Sequence, residues 1–186
     1  MAFYLSKLKK VDVRKAGSGN LGASNTTALL GWRAGVLVAL HDIGKGVLAV
    51  VLARALFGDL PYAGFAAGVA CVLGHIYPFY LGFKGGKGFA SYFGMTLALN
   101  WRLALMIFVL GVLITLVSDY IALATTATVL VVPGYYGLTG QSVLPVCILL
   151  VATAVMLYKH KDNYRRILKG EEIGMRSAFK GKHRAK

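Results

Sequence analysis

Glycine, lysine and a few polar side chains recur in three short stretches, and their spacing in each suits the handling of an anion. In the first, Gly17, Ser18, Gly19, Asn20, Gly22 and Asn25 follow a basic arm. Glycines let backbone N–H groups approach an anion, and Ser18, Asn20 and Asn25 add side-chain partners. Gly17, Gly19 and Gly22 also satisfy a G-x-G-x-x-G pattern. A long apolar run follows, however, and the nearest candidate for a ribose-binding acid, Asp42, lies inside that run. A dinucleotide-binding βαβ unit is therefore excluded.

In the second stretch, His75 and Pro78 lead into Lys84, Gly85, Gly86, Lys87 and Gly88. This is not a Walker A loop, because Leu81 stands where the first glycine belongs and Gly88 replaces Ser/Thr. Two lysines as point charges and three glycines with exposed N–H donors still make a phosphate cradle. Pro78 predicts a distorted helix end where His75 faces the site. The third stretch holds His160, Asn163, Arg166 and Glu172. Spacing of i, i+3, i+6 predicts that the first three share one helix face, where they suit a reacting hydroxyl beside a phosphate. A basic interfacial helix lying on lipid is the competing reading.

Composition says what must position these residues. The chain has 186 residues, is 57% hydrophobic and 15% charged, and carries a formal net charge of +14. Mean hydropathy is +0.64. A soluble domain is about a quarter charged, so disorder is excluded and a water-soluble globule is not expected. The 23 glycines suit packed membrane helices. Charge alone would allow nucleic acid, but no soluble basic surface with aromatics is evident, so no nucleic acid is expected. Cys71 and Cys147 lie in apolar runs and read as buried thiols, with no metal-ligand cluster.

Apolar runs at 35–57, 62–83, 101–117, 120–138 and 143–158 predict five membrane helices, and the short piece 89–99 a sixth. Basic residues flank the N-terminus, surround Lys84 and Lys87, and fill 159–186. Basic flanks stay cytoplasmic, so an even number of crossings is required and six is preferred over five. The expected fold is an all-α polytopic bundle of six spans with both termini in the cytoplasm. Residues 1–172 form one membrane domain and 173–186 a basic tail. All three stretches then face the cytoplasm, as does the start of the run containing Thr125. Asp42 and Lys45, inside the first span, read equally as a buried structural ion pair or as groups with a direct role, and are placed behind the site.

Taken together, the three stretches resemble the bacterial integral-membrane acyl-phosphate:glycerol-3-phosphate acyltransferases, from Lys7 to Glu172. The resemblance rests on Gly17 to Asn25, on Gly74 to Pro78 with Phe83 to Gly88, and on Lys159, His160, Asn163, Arg166, Gly170 and Glu172. Asp42, Lys45 and Gly46 also fit. It implies transfer of a fatty acyl group from acyl phosphate to the sn-1 hydroxyl of glycerol 3-phosphate, at the cytoplasmic face of a bacterial plasma membrane, with no cofactor or metal. It implies Ser18, Lys87, His160 and Asn163 as catalytic. Gly19, Asn20, Gly22, Asn25, His75, Lys84, Gly85, Gly86, Gly88, Thr125, Arg166 and Glu172 become substrate-binding residues. A soluble acyl-phosphate-forming acyltransferase is the implied partner. The family normally has one more helix before the first stretch, an arginine where this chain has Ala28, and a serine where it has Thr125. Arg33 is a candidate substitute for that arginine.

Acyl phosphate is already activated, so the expected task is to orient the hydroxyl and stabilise the oxyanion and leaving phosphate. Ser18 reads as a hydrogen-bond donor, because no base is paired with it. His160 could be a general base or only an orienter, and a substrate phosphate could equally take the proton. A small carrier for an anionic solute is the alternative from another class.

Overall fold

The computed structural model describes residues 1–172 and 174–176. It is helical throughout, with no strand among the described residues. The helices are α1 (Ala2–Leu8), α2 (Ala23–Leu30), α3 (Trp32–Leu56), α4 (Ala63–Ile76), α5 (Phe89–Leu99), α6 (Trp101–Ser118), α7 (Ile121–Leu138), α8 (Val143–Lys159) and α9 (Lys161–Leu168). A 3-10 turn, Phe79–Leu81, extends α4 beyond Pro78. Four elements are long and apolar enough to cross a membrane: α3, α4 with its 3-10 extension, α6 and α7. The fifth is α8, with 17 residues before a 45° bend into α9. The all-α membrane bundle expected from composition is what the chain forms.

The six helices α3 to α8 pack around Val50, Phe65, Val72, Tyr92, Met95, Ile107, Val132 and Met156, all buried. Their outward faces carry Leu40, Leu52, Leu105, Phe108, Leu113 and Leu150, which are exposed. A helix apolar on both sides needs lipid on one of them. This also corrects the reading of both cysteines as buried: Cys71 is half-buried and Cys147 is exposed on α8. An apolar run cannot distinguish a lipid-facing position from a core one, because lipid is as apolar as the core.

Small residues let α3 and α5 touch backbone to backbone. A Cβ on Gly46 would collide with the Ser91 carbonyl oxygen, and one on Gly94 with that of Ile43. The contact anchors α5, and with it the loop that feeds it, against the longest helix. Arg54 Nη1 donates to the Ala98 carbonyl (2.8 Å) at the C-terminal end of α5. Asn100 then caps α6, its side-chain oxygen accepting from the Leu103 N–H. Pro133 inside α7 leaves the Val129 carbonyl without its usual helical donor, and the Thr153 hydroxyl of α8 donates to it at 2.7 Å.

Candidate active site at the helix ends

Loop 13–22 before α2, loop 82–88 before α5 and the α8–α9 junction meet at one place. Asn25 builds the first loop. Its Oδ1 accepts from the Ser18 N–H (2.9 Å), and its Nδ2 faces the carbonyls of Val13, Ala16 and Asn20 at 2.9, 3.2 and 3.1 Å. The side chain is buried, so its donors and acceptor are occupied by the chain itself. Gly19 has φ +68°, and its N–H donates to Ala16. Ser18 is exposed beside it. Gly22 caps α2, whose first intrahelical bond is made by the Thr26 N–H. The N–H groups of the preceding turn therefore lie open at a positive helix end. Asn20 is half-buried next to Gly22.

The glycine–lysine loop is held by α4. Gly85 donates its N–H to the Ile76 carbonyl (3.1 Å) and Gly86 to the His75 carbonyl (3.2 Å). This corrects the expectation that both offer exposed N–H donors: those hydrogens terminate α4 past Pro78. Glycine is required there for space, since a Cβ on Gly85 would strike the His75 carbonyl and one on Gly86 the His75 ring nitrogen Nε2. The same Cβ on Gly86 would lie 3.0 Å from the Leu21 carbonyl, so the first and second loops are in contact. Gly88, at φ +92°, starts α5 against Ile76 and Val72. Lys84 is exposed at the rim and Lys87 points inward.

The Lys87 ammonium donates to the Asn163 side-chain oxygen. Asn163 Nδ2 in turn donates to Glu172 Oε1 (2.5 Å), and Arg166 Nε donates to Glu172 Oε2 (2.6 Å). Lys159 also lies over the Tyr77 ring at 5.1 Å, tying the start of the third stretch to the second. Burial pulls the Lys87 ammonium down to about 8; Glu172 opposes that fall and Arg166 adds to it.

His160 occupies the bend between α8 and α9 and does not share a continuous helix with Asn163 and Arg166. Its Nδ1 lies 2.8 Å from the Met156 carbonyl. A carbonyl can only accept, so Nδ1 carries the proton and Nε2 keeps its lone pair. Burial lowers the ring to about 4; the Met156 bond opposes this and Lys87 reinforces it. The imidazole is therefore neutral at physiological pH, an acceptor with little basicity.

Thr125 is buried, and its hydroxyl donates to the Ile121 carbonyl of its own helix at 3.1 Å. The neighbouring Thr126, which sequence did not single out, pairs with the Tyr164 hydroxyl at 2.6 Å and fastens α9 to α7. Arg33 is exposed and lies over the Trp32 ring at 5.5 Å. Two further contacts escaped the sequence reading: the reach of Lys45, expected only to pair with Asp42, across to His75, and a clasp at Asp119. Lys45 joins Asp42 (2.6 Å) to His75 Nδ1 (2.5 Å). Asp119 fastens 174–176, its backbone oxygen accepting from the Met175 N–H and its carboxylate from the Arg176 N–H. Arg176 is thus held, while 177–186 of the basic tail lie outside the described residues. No group of three or more His, Cys, Asp or Glu arranged to hold a metal occurs among the described residues.

Residues 1–170 match the family profile described as glycerol-3-phosphate acyltransferase. The chain belongs to the glycerol-3-phosphate acyltransferase family. The acyltransferase of that name from Aquifex aeolicus is 38% identical over 168 residues, covering 90% of this chain and 88% of the relative. The one from Rubrobacter xylanophilus is 41% identical over 162 residues, covering 87% and 81%. The crystal structure of PlsY, an integral membrane glycerol 3-phosphate acyltransferase in its glycerol 3-phosphate form, superposes with a TM-score of 0.88. It is 36% identical and covers 94% of this chain and 87% of that one. The lysophosphatidic acid form of PlsY gives 0.85 at 35% identity, covering 95% and 88%. Membership of an acyltransferase family sets aside the carrier reading. This glycerol-3-phosphate acyltransferase is a multi-pass membrane protein whose three glycine- and lysine-rich stretches meet at one cluster of helix ends.

Proposed function

We propose that this chain performs its family's reaction, acyl transfer to glycerol 3-phosphate, with acyl phosphate as donor and the sn-1 hydroxyl as acceptor. The single observation that carries the reading is the chain Lys87–Asn163–Glu172–Arg166 beside the glycine loops. Two phosphorylated substrates need concentrated positive charge. Lys87, with Lys84 and Arg166, supplies it, together with the open N–H groups at the start of α2.

In this reading the hydroxyl oxygen attacks the acyl carbonyl, and the carbon–oxygen bond to the leaving phosphate breaks. Ser18 donates to a substrate oxygen. His160 accepts from the hydroxyl through Nε2 and aligns it. A group near 4 is a poor base, whereas a phosphate with a second ionisation near ~6 is a better one. The proton therefore passes to a substrate phosphate, and inorganic phosphate leaves. No cofactor enters the scheme. Asn25 holds the loop that presents Ser18, and Thr125 lies behind the site.

The proposed topology counts α5 as a short sixth crossing and puts the site and both termini in the cytoplasm of a bacterial cell. A soluble enzyme that makes acyl phosphate is the proposed partner. The test is to incubate purified protein with acyl phosphate and labelled glycerol 3-phosphate and to look for labelled lysophosphatidate. Product formation supports the reading; its absence in folded protein defeats it.

A further inference from the structure

A cavity of about 220 Å³ adjoins the glycine loop, lined by His41, Asp42, Lys45, His75, Gly85 and Gly86 among others. Asp42 is buried in α3, one residue after His41 and three before Lys45. Lys45 Nζ lies 2.6 Å from Asp42 Oδ1 and 2.5 Å from His75 Nδ1. An ammonium has hydrogens and no lone pair. It can approach Nδ1 that closely only if Nδ1 is unprotonated, so the single ring proton of His75 sits on Nε2. That nitrogen overhangs Gly86, in the space a side chain there would fill.

From this geometry we propose that Asp42 and Lys45 are positioning residues that fix the tautomer of His75 and thereby aim an Nε2–H donor at the phosphate loop. Asp42 neutralises and orients Lys45; Lys45 occupies Nδ1; His75 donates from its far side to a substrate phosphate oxygen. The inference rests on the reading of the loop as the phosphate site. The other groups facing this cluster are His41, whose Nδ1 lies 3.5 Å from Asp42 Oδ1, the amino group of Met1, and the Cys71 thiol. On the ring itself, Asp42 Oδ1 lies 3.5 Å from His75 Nδ1, a full ångström farther than Lys45 Nζ at 2.5 Å, so the nearer ammonium sets the ring proton. A donor on the substrate phosphate acts alike before and during the reaction, so its loss raises KM for glycerol 3-phosphate and leaves kcat near its starting value.

Two measurements test this. Nitrogen-15 NMR of histidine-labelled protein at neutral pH, with His75 assigned by its disappearance in His75→Gln, reads the tautomer directly. An Nε2–H pattern is expected; an Nδ1–H or doubly protonated ring overturns the inference whatever the kinetics. The double variant Asp42→Asn/Lys45→Met removes both charges together, so neither is left buried alone, and thermal unfolding reports its folding. It is expected to show mixed His75 tautomers and a KM raised roughly tenfold, as His75→Ala does. An unchanged tautomer with unchanged KM in the folded double variant contradicts the positioning role. An unchanged KM in His75→Ala instead overturns the phosphate-loop reading, while the tautomer measurement stands apart from it.

Discussion

The Lys87 ammonium donates to the Asn163 carboxamide oxygen, joining loop and helix residues 76 positions apart. That bond aims the cation, and Glu172 holds the amide from its other end. Asn163→Ala is therefore expected to lower kcat/KM by roughly 10- to 100-fold, the range for losing a hydrogen bond to a charged group. Steady-state kinetics on folded protein checks this. A change below twofold would mean that Lys87 needs no such guide.

Activity should decline as pH rises through about 8, because the buried Lys87 ammonium loses its proton there. The profile of kcat/KM reports the free enzyme and is the one to measure. Glu172 raises the Lys87 value, so Glu172→Gln should move the alkaline limb to lower pH. Lys87→Arg, if active, should have no such limb, because arginine stays charged. A limb that ignores both substitutions belongs to another group.

His160 is an acceptor held neutral, so His160→Gln, which keeps an acceptor, should lose less than the ~10²-fold that removal of a general base would cost. Stability carries a second signature. Burial lowers the ring from 6.5 to about 4, so the contribution of the neutral ring is complete above 6.5 and is lost as pH falls toward about 4. The unfolding temperature should fall more steeply over that window in the unmodified protein than in His160→Gln. Parallel curves would contradict the assignment.

Asp119 ties 174–176 to the α6–α7 turn, close in sequence to Glu172. A Cβ on Gly174 would collide with the Asp119 carboxylate. Gly174→Ala is predicted to release this clasp, increase protease cleavage after α9 and lower kcat several-fold through Glu172. Unchanged proteolysis and rate would separate the clasp from the site.

Much of this architecture was legible in the sequence because lipid imposes long apolar runs. The limits of α5 match the predicted piece 89–99, and α6 and α7 begin and end within a residue of their runs. The meeting of the three stretches followed from placing them on one face. What escaped was of two kinds. Asn25 spends its amide on backbone carbonyls, and Gly85 and Gly86 spend their N–H groups on α4; no side-chain pattern records a backbone partner. The Lys45–His75 contact spans 30 residues between two apolar helices, and helix rotation, which spacing alone leaves open, decides it. His160 fitted the i, i+3, i+6 pattern, yet the chain bends by 45° at that residue.

The most direct test of the central claim is the turnover of Lys87→Ala with acyl phosphate and glycerol 3-phosphate, measured on protein whose unfolding temperature matches the unmodified enzyme. If Lys87 stabilises the transition state as an oxyanion-hole donor does, kcat should fall about 10²- to 10³-fold. An unaltered rate would remove Lys87 from the site and the account with it.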